Sequence, residues 1–362
     1  MLLRRRPQVV ALVITLACTA SLYAQKDKKQ DEAEKKEAQA MRKLVDDLGA
    51  NPSAPNDLGL AWTRADFLKA QSNKEFVPFT VSIDPSKVSA GTISFYWRVV
   101  AKGGAPPEAA AQPGKKDDKK DKDKDKDKPK SEYAWEDVSF IPVTAGQTPL
   151  RIVRSFMVSA GDYDVYVVAK EPTPEKAPKN SPPPKASVLK QTVTVPDFWN
   201  TELNTSSLIV AQRIDPLPAP LTPEQLRERP YGALGQMEII PVYGDLKFAK
   251  KAELSTFMLV YNPKTDSANK PDISIDYVFC QTAAGGDPPK AGEKFFNKTN
   301  AQNFNAQTLP PQFDLAAGYQ IQTGQAVPLA SFPEGQYRLE IKVTDKIANK
   351  SLIRDVNFTV GP

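Results

Sequence analysis

A Gly-x-Tyr turn that leads into an alternating strand occurs twice, and this repeat constrains the fold more than any other feature. The two copies are Gly161-Asp162-Tyr163 and Gly335-Gln336-Tyr337. A further strand-like run follows each copy, at Ser187–Val195 and at Ser351–Val360. This is the pattern of the terminal hairpin of an immunoglobulin-like sandwich, in which each tyrosine forms a corner by bonding its hydroxyl to nearby backbone.

Other short runs rich in β-branched and aromatic residues, bounded by Gly and Pro, fill both halves of the chain. We therefore predict a mainly β fold of two immunoglobulin-like antiparallel β-sandwich domains, at residues 74–196 and 197–362. The strand candidates are Phe76–Ile83, Thr92–Val100, Tyr133–Ile141, Leu150–Val158, Tyr163–Ala169 and Ser187–Val195 in the first domain, and Ser207–Ile214, Gln236–Val242, Leu254–Tyr261, Asp272–Gln281, Gln336–Thr344 and Leu352–Val360 in the second.

Two low-complexity inserts interrupt the first predicted domain. Residues 103–132 contain a Lys/Asp run with few apolar residues, which cannot bury a core and is expected to be disordered. Residues 171–185 hold several of the 33 prolines of the chain and predict a stiff, extended connection.

The N-terminal region reads as a targeting segment followed by a charged helix. Residues 1–24 combine three arginines with a short apolar stretch, as a signal peptide does. Lipidation at Cys18 and an uncleaved membrane anchor are the alternatives; otherwise membrane contact is transient. Residues 25–73 predict a helical tether and linker, in which Met41, Leu44, Val45 and Leu48 form one apolar stripe. This helix is either a docking helix or a solvated spacer.

The chain of 362 residues contains no histidine. That excludes Ser-His-Asp triads, Cys-His dyads and HExxH zinc sites, so we expect no enzyme, no metal and no cofactor. Three N-terminal arginines and the Lys/Asp run each contribute +3 to the net charge of +5, which leaves the rest of the chain near −1, so a basic nucleic-acid-binding face is not expected. After cleavage Cys280 is the one remaining thiol. It is either a small buried apolar side chain, or a thiol that is reactive or forms an intermolecular disulfide.

Three aromatic residues are candidates for packing or for binding. Trp97 is expected in the core of the first sandwich, because alternation separates it from Tyr96. Tyr133 and Trp135 share one strand face, where they either stack a sugar ring or an aromatic partner residue, or pack under a neighbouring strand. Asp162 and Asp164 likewise share a face, which is either a calcium site or simply solvated.

Three segments resemble a known bacterial module. They are Leu254–Asn262, Pro271–Tyr277 and Pro333–Asp345, and together they are similar to the C-terminal β-sandwich of secreted acidobacterial proteins of the GWxTD-domain type. The segment Gly59–Asp66 contains the residue types of the GWxTD motif, but their spacing differs, so that motif is not matched. The resemblance implies an exported bacterial β-sandwich and transfers no functional residue.

Two functions fit these observations. The first is a non-enzymatic interaction or structural protein, exported to the periplasm or outside the cell and either free or associated with the outer membrane, whose two domains contact an envelope protein. The second is a glycan-binding module or an accessory part of a carbohydrate-active system.

Overall fold

The computed structural model describes residues 32, 34–48, 54–103, 133–144, 149–174, 182–233, 237–282 and 292–362. The predicted signal segment, the Lys/Asp run and the middle of the Pro-rich insert lie outside the described residues. Residues 34–48 form helix α1, and Pro223–Glu228 form helix α2. Thr222 caps α2 through a capping box with Gln225, and a proline occupies its first turn, which explains why this short helix begins there.

Eight strands form two four-stranded sheets that face each other. One sheet has the order β1-β3-β2 with β6 beside β3, and the other has the order β5-β4-β7-β8. All their pairings are antiparallel. The strands are β1 (Ala61–Ala65), β2 (Leu68–Lys69), β3 (Glu75–Ile83), β4 (Thr92–Ala101), β5 (Trp135–Pro142), β6 (Leu150–Val158), β7 (Gly161–Lys170) and β8 (Ala186–Val195).

The remaining twelve strands of the described chain form a second pair of sheets. One contains β11-β10-β13-β17 with β9 and β18, and the other contains β12-β20-β19-β14-β15 with β16. One pairing, β12 with β20, is parallel. These strands are β9 (Asn204–Thr205), β10 (Ile209–Pro216), β11 (Met237–Pro241), β12 (Lys247–Ala249), β13 (Glu253–Tyr261), β14 (Ile273–Thr282), β15 (Lys294–Lys298), β16 (Gln302–Phe304), β17 (Ile321–Thr323), β18 (Ala326–Pro328), β19 (Gly335–Asp345) and β20 (Lys350–Gly361).

Each pair of sheets encloses its own apolar core, so the prediction of a mainly β, sandwich-type fold is confirmed. Along β6 every second side chain is buried, as expected for a strand with one face on a core. Trp97 is 2% exposed within the first core, where its Nε1 donates to the Ser155 carbonyl at 3.2 Å.

Both repeat tyrosines bond back to the backbone four residues upstream. The Tyr163 hydroxyl donates to the Ser159 carbonyl at 2.9 Å, and the Tyr337 hydroxyl donates to the Pro333 carbonyl at 2.8 Å. This is the geometry of a tyrosine corner, and it holds the backbone turn that precedes β7 and the turn that precedes β19.

Helix α1 packs on the outer face of the sheet that contains β4, β7 and β8. Met41 and Val45 are buried there against Tyr96, Val168 and Val188. This face accounts for the apolar stripe of the sequence, and the helix is docked rather than a solvated spacer.

The expectation of a linker up to residue 73 is wrong, because β1 and β2 pair with β3 and belong to the first sandwich. The run Ala61–Ala65 lacks a clear apolar alternation, and its partly buried side chains explain the missing signal.

Candidate functional site

The two sandwiches meet at a junction that is hydrogen-bonded on both sides. Phe67 N–H donates to Ser207 Oγ at 2.8 Å, and Ser207 N–H donates to the Phe67 carbonyl at 3.0 Å. The backbone N–H of Lys69 donates to the Tyr261 hydroxyl at 3.0 Å. Leu68 is buried in one apolar cluster with Phe198, Tyr261 and other side chains of the second sandwich. The junction therefore buries apolar area and satisfies backbone donors at the same time.

A buried ionic group closes one side of the junction. Arg64 donates to both oxygens of Asp66, at 2.8 and 2.7 Å, and also donates to the Val242 carbonyl at 3.1 Å. The Tyr231 hydroxyl donates to Asp66, which is 3% exposed. Burial, and then the charge of Asp66, raise the pKa of Tyr231 well above its ordinary value. This tyrosine is therefore a permanent donor from the second sandwich to the first.

The carboxyl group of Glu75 closes the other side. Glu75 is 0% exposed; its Oε1 accepts from Phe198 N–H at 3.0 Å, and its Oε2 has no hydrogen-bond partner among the described residues. Burial raises the pKa of Glu75 to about 7, against the opposing effect of the Phe198 N–H. The junction thus contains a carboxyl group that changes charge near neutral pH.

Beside the junction lies a cleft of about 590 Å³, which we call the aromatic cleft. Trp199 and Tyr319 are 38% and 46% exposed on its walls. The Trp199 Nε1 donates to the Lys74 carbonyl at 3.0 Å, which fixes the indole ring on the first sandwich. The Lys69 ammonium lies 4.4 Å from the centroid of that ring and donates to Asn262 Oδ1 at 3.0 Å. The cleft thus has a wall from each sandwich.

Carboxamide side chains supply much of the polar lining of the aromatic cleft. Those of Gln71, Asn269 and Gln320 are exposed there and make no hydrogen bond within the described part of the chain. The charged residues of the lining are Lys69 and Asp314, one of each sign. Asp314 already accepts the N–H of Ala316 at 2.8 Å. The cleft is therefore polar but nearly neutral.

A tight hairpin separates the aromatic cleft from a second cleft of about 470 Å³. Both are lined by Lys69, Ala70, Gln71 and Gln320. The hairpin turns at Ser72 and Asn73, which both have a φ of 57°, as two-residue type I′ turns require. The second cleft has mainly apolar walls. The turn between β2 and β3 therefore holds Gln71 at the edge of both clefts.

The structure does not place the predicted aromatic pair on one open face. Trp135 is 5% exposed in the first core, and its Nε1 lacks a hydrogen-bond partner within the described residues. The Tyr133 ring is covered by the Arg98 guanidinium, whose central carbon lies 3.9 Å from the ring centroid. Trp135 is thus a packing residue, because the facing sheet covers this side of β5.

Trp199 and Tyr319, the exposed aromatic residues of the aromatic cleft, are absent from the sequence prediction. Trp199 follows β8, and Tyr319 lies in a Gly/Asn/Gln-rich segment before β17. Neither position belongs to an alternating run, so periodicity carries no information on their exposure.

The acidic pair of β7 forms bonds within the first sandwich. Asp164 accepts from Thr192 Oγ1 at 2.8 Å and pairs with Lys190 at 2.9 Å, and Asp162 accepts from Thr194 Oγ1 at 2.6 Å. Among the described residues, no cluster of three or more acidic or cysteine side chains is placed to hold a metal ion.

Cys280 is half-buried on β14. No helix in the described part of the chain has the length and apolar character to cross a membrane.

Neither a protein-family model nor a curated protein sequence matches the chain. Among solved structures, it is similar to the native conformation of E. coli α-2-macroglobulin, determined by cryo-electron microscopy. The similarity has a TM-score of 0.21 and 10% sequence identity, and it covers 85% of this chain. The chain spans 16% of the length of that macroglobulin. Similarity at this level carries no argument about function, so the aromatic cleft is interpreted from its own residues.

Proposed function

We propose that the chain is an exported, non-enzymatic binding protein of the bacterial cell envelope, and that it holds another envelope component in the aromatic cleft. The single observation that carries this proposal is a cleft with two exposed aromatic rings beside a hydrogen-bonded junction. Residues 1–24, with their arginines and apolar stretch, support export. The lack of histidine throughout the sequence supports a binding role over catalysis.

The geometry of the cleft favours binding for an energetic reason. An exposed tryptophan normally loses rotational freedom when it contacts a ligand, which reduces affinity. The Trp199 ring is already held by its bond to the Lys74 carbonyl and by the Lys69 ammonium. A ligand that contacts it therefore meets a surface whose conformation is set in advance, as in rigid aromatic binding sites.

In-envelope photocrosslinking tests this proposal. A photoreactive amino acid would replace Gln71 or Gln320 in the aromatic cleft, and Gln307 would carry it as the matched control. Gln307 is also an exposed glutamine, but it lies in a turn outside both clefts. We expect the two cleft positions to capture one common envelope component, of any chemical class, that Gln307 does not capture. Identical capture from all three positions, or no capture from the cleft, would overturn the proposal.

A further inference from the structure

We propose that the ligand of the aromatic cleft is a neutral oligosaccharide, which stacks on Trp199 and Tyr319 and bonds to the surrounding carboxamides. This inference rests on the proposed binding function and specifies its ligand. A pyranose ring has two apolar faces made of C–H groups and a rim of hydroxyl groups. Exposed aromatic rings match the faces, and uncommitted amide groups match the rim.

The carboxamides fit hydroxyl groups better than they fit charged ligands. Each side chain of Gln71, Asn269 and Gln320 offers one acceptor oxygen and two donor hydrogens. A sugar hydroxyl is also both donor and acceptor, so every group of such a side chain can be satisfied by the same class of ligand. Because these side chains make no hydrogen bond within the described residues, binding would not break an existing one.

The charges of the cleft argue against anionic ligands. The Lys69 ammonium is committed to Asn262 Oδ1 and to the Trp199 ring, and burial lowers its pKa. The cleft contains no second cation in its described lining, and Asp314 would repel an anion. A phosphate or carboxylate ligand normally needs a bidentate or clustered cationic partner. A neutral ligand has no such requirement.

The dimensions also fit a short oligosaccharide. The volume of about 590 Å³ falls within the range of about 300–1,000 Å³ that is typical of small-ligand sites. The neighbouring cleft shares Gln71 and Gln320, so a chain longer than the aromatic cleft could continue past the β2–β3 turn.

Titration with glycans tests the inference. The chain from residue 25 would be screened against an array of neutral and acidic oligosaccharides, and the best neutral and acidic probes would be titrated while tryptophan emission is followed. Trp97 and Trp135 are almost fully buried and Trp62 is partly buried, so Trp199 is the most exposed indole. We expect a neutral probe to change the emission and to protect Trp199 from acrylamide quenching. Raising the salt concentration should leave its affinity unchanged, because no charge pairing is involved.

Variants separate this site from other exposed aromatic residues. We expect Trp199→Ala and Tyr319→Ala each to weaken binding by at least about tenfold, and Trp199→Phe to weaken it less, because it keeps an aromatic face but loses the bond to the Lys74 carbonyl. Phe295→Ala is the matched control, because Phe295 is 65% exposed on β15, away from the cleft. Thermal unfolding of each variant identifies any loss caused by misfolding.

These outcomes distinguish failure of the oligosaccharide inference from failure of the proposed binding function. If only acidic probes bind, or if Phe295→Ala weakens binding as much as Trp199→Ala, the inference is overturned. If no glycan binds while Gln71 and Gln320 still capture a protein in the envelope, the inference is overturned and the proposed function stands. If those positions capture nothing, the proposed function is overturned.

Discussion

Helix α1 and the junction each bury a glutamate carboxyl group against the first sandwich, but the two carboxyl groups have different hydrogen-bond partners. On α1, the buried Glu37 pairs with Lys170 at 2.6 Å, and the exposed Asp46 pairs with the buried Arg98 at 2.7 Å. At the junction, Glu75 receives one backbone N–H, and its second oxygen has no hydrogen-bond partner among the described residues. Burial without a hydrogen-bonded cation raises the pKa of the Glu75 carboxyl group to about 7. The helix contact therefore depends on charge pairing, whereas the junction combines the charge pair of Arg64 and Asp66 with the Glu75 carboxyl group, whose pKa is raised to about 7.

This difference places the pH-sensitive group next to the aromatic cleft. Phe198, whose N–H donates to Glu75, directly precedes Trp199. Lys69 lies opposite Glu75 where β2 and β3 run side by side. A change of charge on Glu75 therefore acts on both walls of the cleft. Helix α1 lies on the outer face of the opposite sheet, where it does not contribute to the cleft lining.

The largest effect is expected from breaking the buried pair of α1. Lys170→Met leaves the Glu37 carboxylate buried without its cation, which should lower the free energy of unfolding by about 3–5 kcal/mol. Denaturant unfolding measures this loss. The control is Glu37→Gln combined with Lys170→Met, which removes both charges and should recover most of the stability. A double variant as unstable as the single one would contradict the role of charge pairing.

A pH-dependent effect of up to about 3 kcal/mol is expected from Glu75→Gln at the junction. The folded-state pKa of about 7 lies above the ordinary value of 4.5, so the folded state binds the extra proton. The contribution of Glu75 to the free energy of unfolding is therefore greatest below pH 4.5, and it decreases as the pH rises towards 7. The glutamine cannot ionise, so it should remove this slope and exceed the wild type in stability at pH 8.

The absence of histidine makes this experiment selective, because few other side chains titrate between pH 5 and 8. Denaturant unfolding at several values in that range is the measurement. A wild-type stability that is flat between pH 5 and 7, or an unchanged slope in Glu75→Gln, would contradict the assignment.

A smaller loss is expected from Tyr231→Phe at the junction. The change keeps the ring in the apolar cluster and removes one hydrogen bond to a charged group, which should lower the free energy of unfolding by about 2 kcal/mol. Asp66 keeps both bonds from Arg64, so the ionic group itself persists. An effect below the error of denaturant unfolding would show that Tyr231 contributes only its ring.

The smallest effect is expected from Arg42→Gln on α1. Arg42 donates two hydrogen bonds to Glu136, but its side chain is 46% exposed, so solvent screens the pair. The free energy of unfolding should fall by less than about 1 kcal/mol. A loss as large as that of Lys170→Met would contradict the distinction between buried and exposed pairs on this helix.

Much of the fold could be predicted from the sequence because strands leave a periodic pattern. The run Leu150–Val158 is β6 with the bounds that its alternation indicates, and alternation also separates Trp97 from Tyr96. However, alternation assigns side chains to two faces without showing what covers each face. For that reason it could not show that Tyr96 lies under α1, or that Trp135 lies inside the first core.

The aromatic cleft could not be predicted for a related reason. Its walls come from the β2–β3 turn, from residues around Trp199 and from the segment around Tyr319, which are far apart in sequence. Their approach depends on how two sandwiches pack, and the decisive contacts are single hydrogen bonds such as Lys69 N–H to Tyr261. No local pattern encodes such a contact.

Crosslinking from Gln71 in a Trp199→Ala background tests the central claim most directly. The photoreactive residue replaces the Gln71 carboxamide in every protein compared, so the proteins differ only at Trp199 or at the control position Phe295. We predict that the envelope component captured from Gln71 is lost in Trp199→Ala and kept in Phe295→Ala. Equal capture in both backgrounds would contradict the claim that this chain binds its ligand in the aromatic cleft.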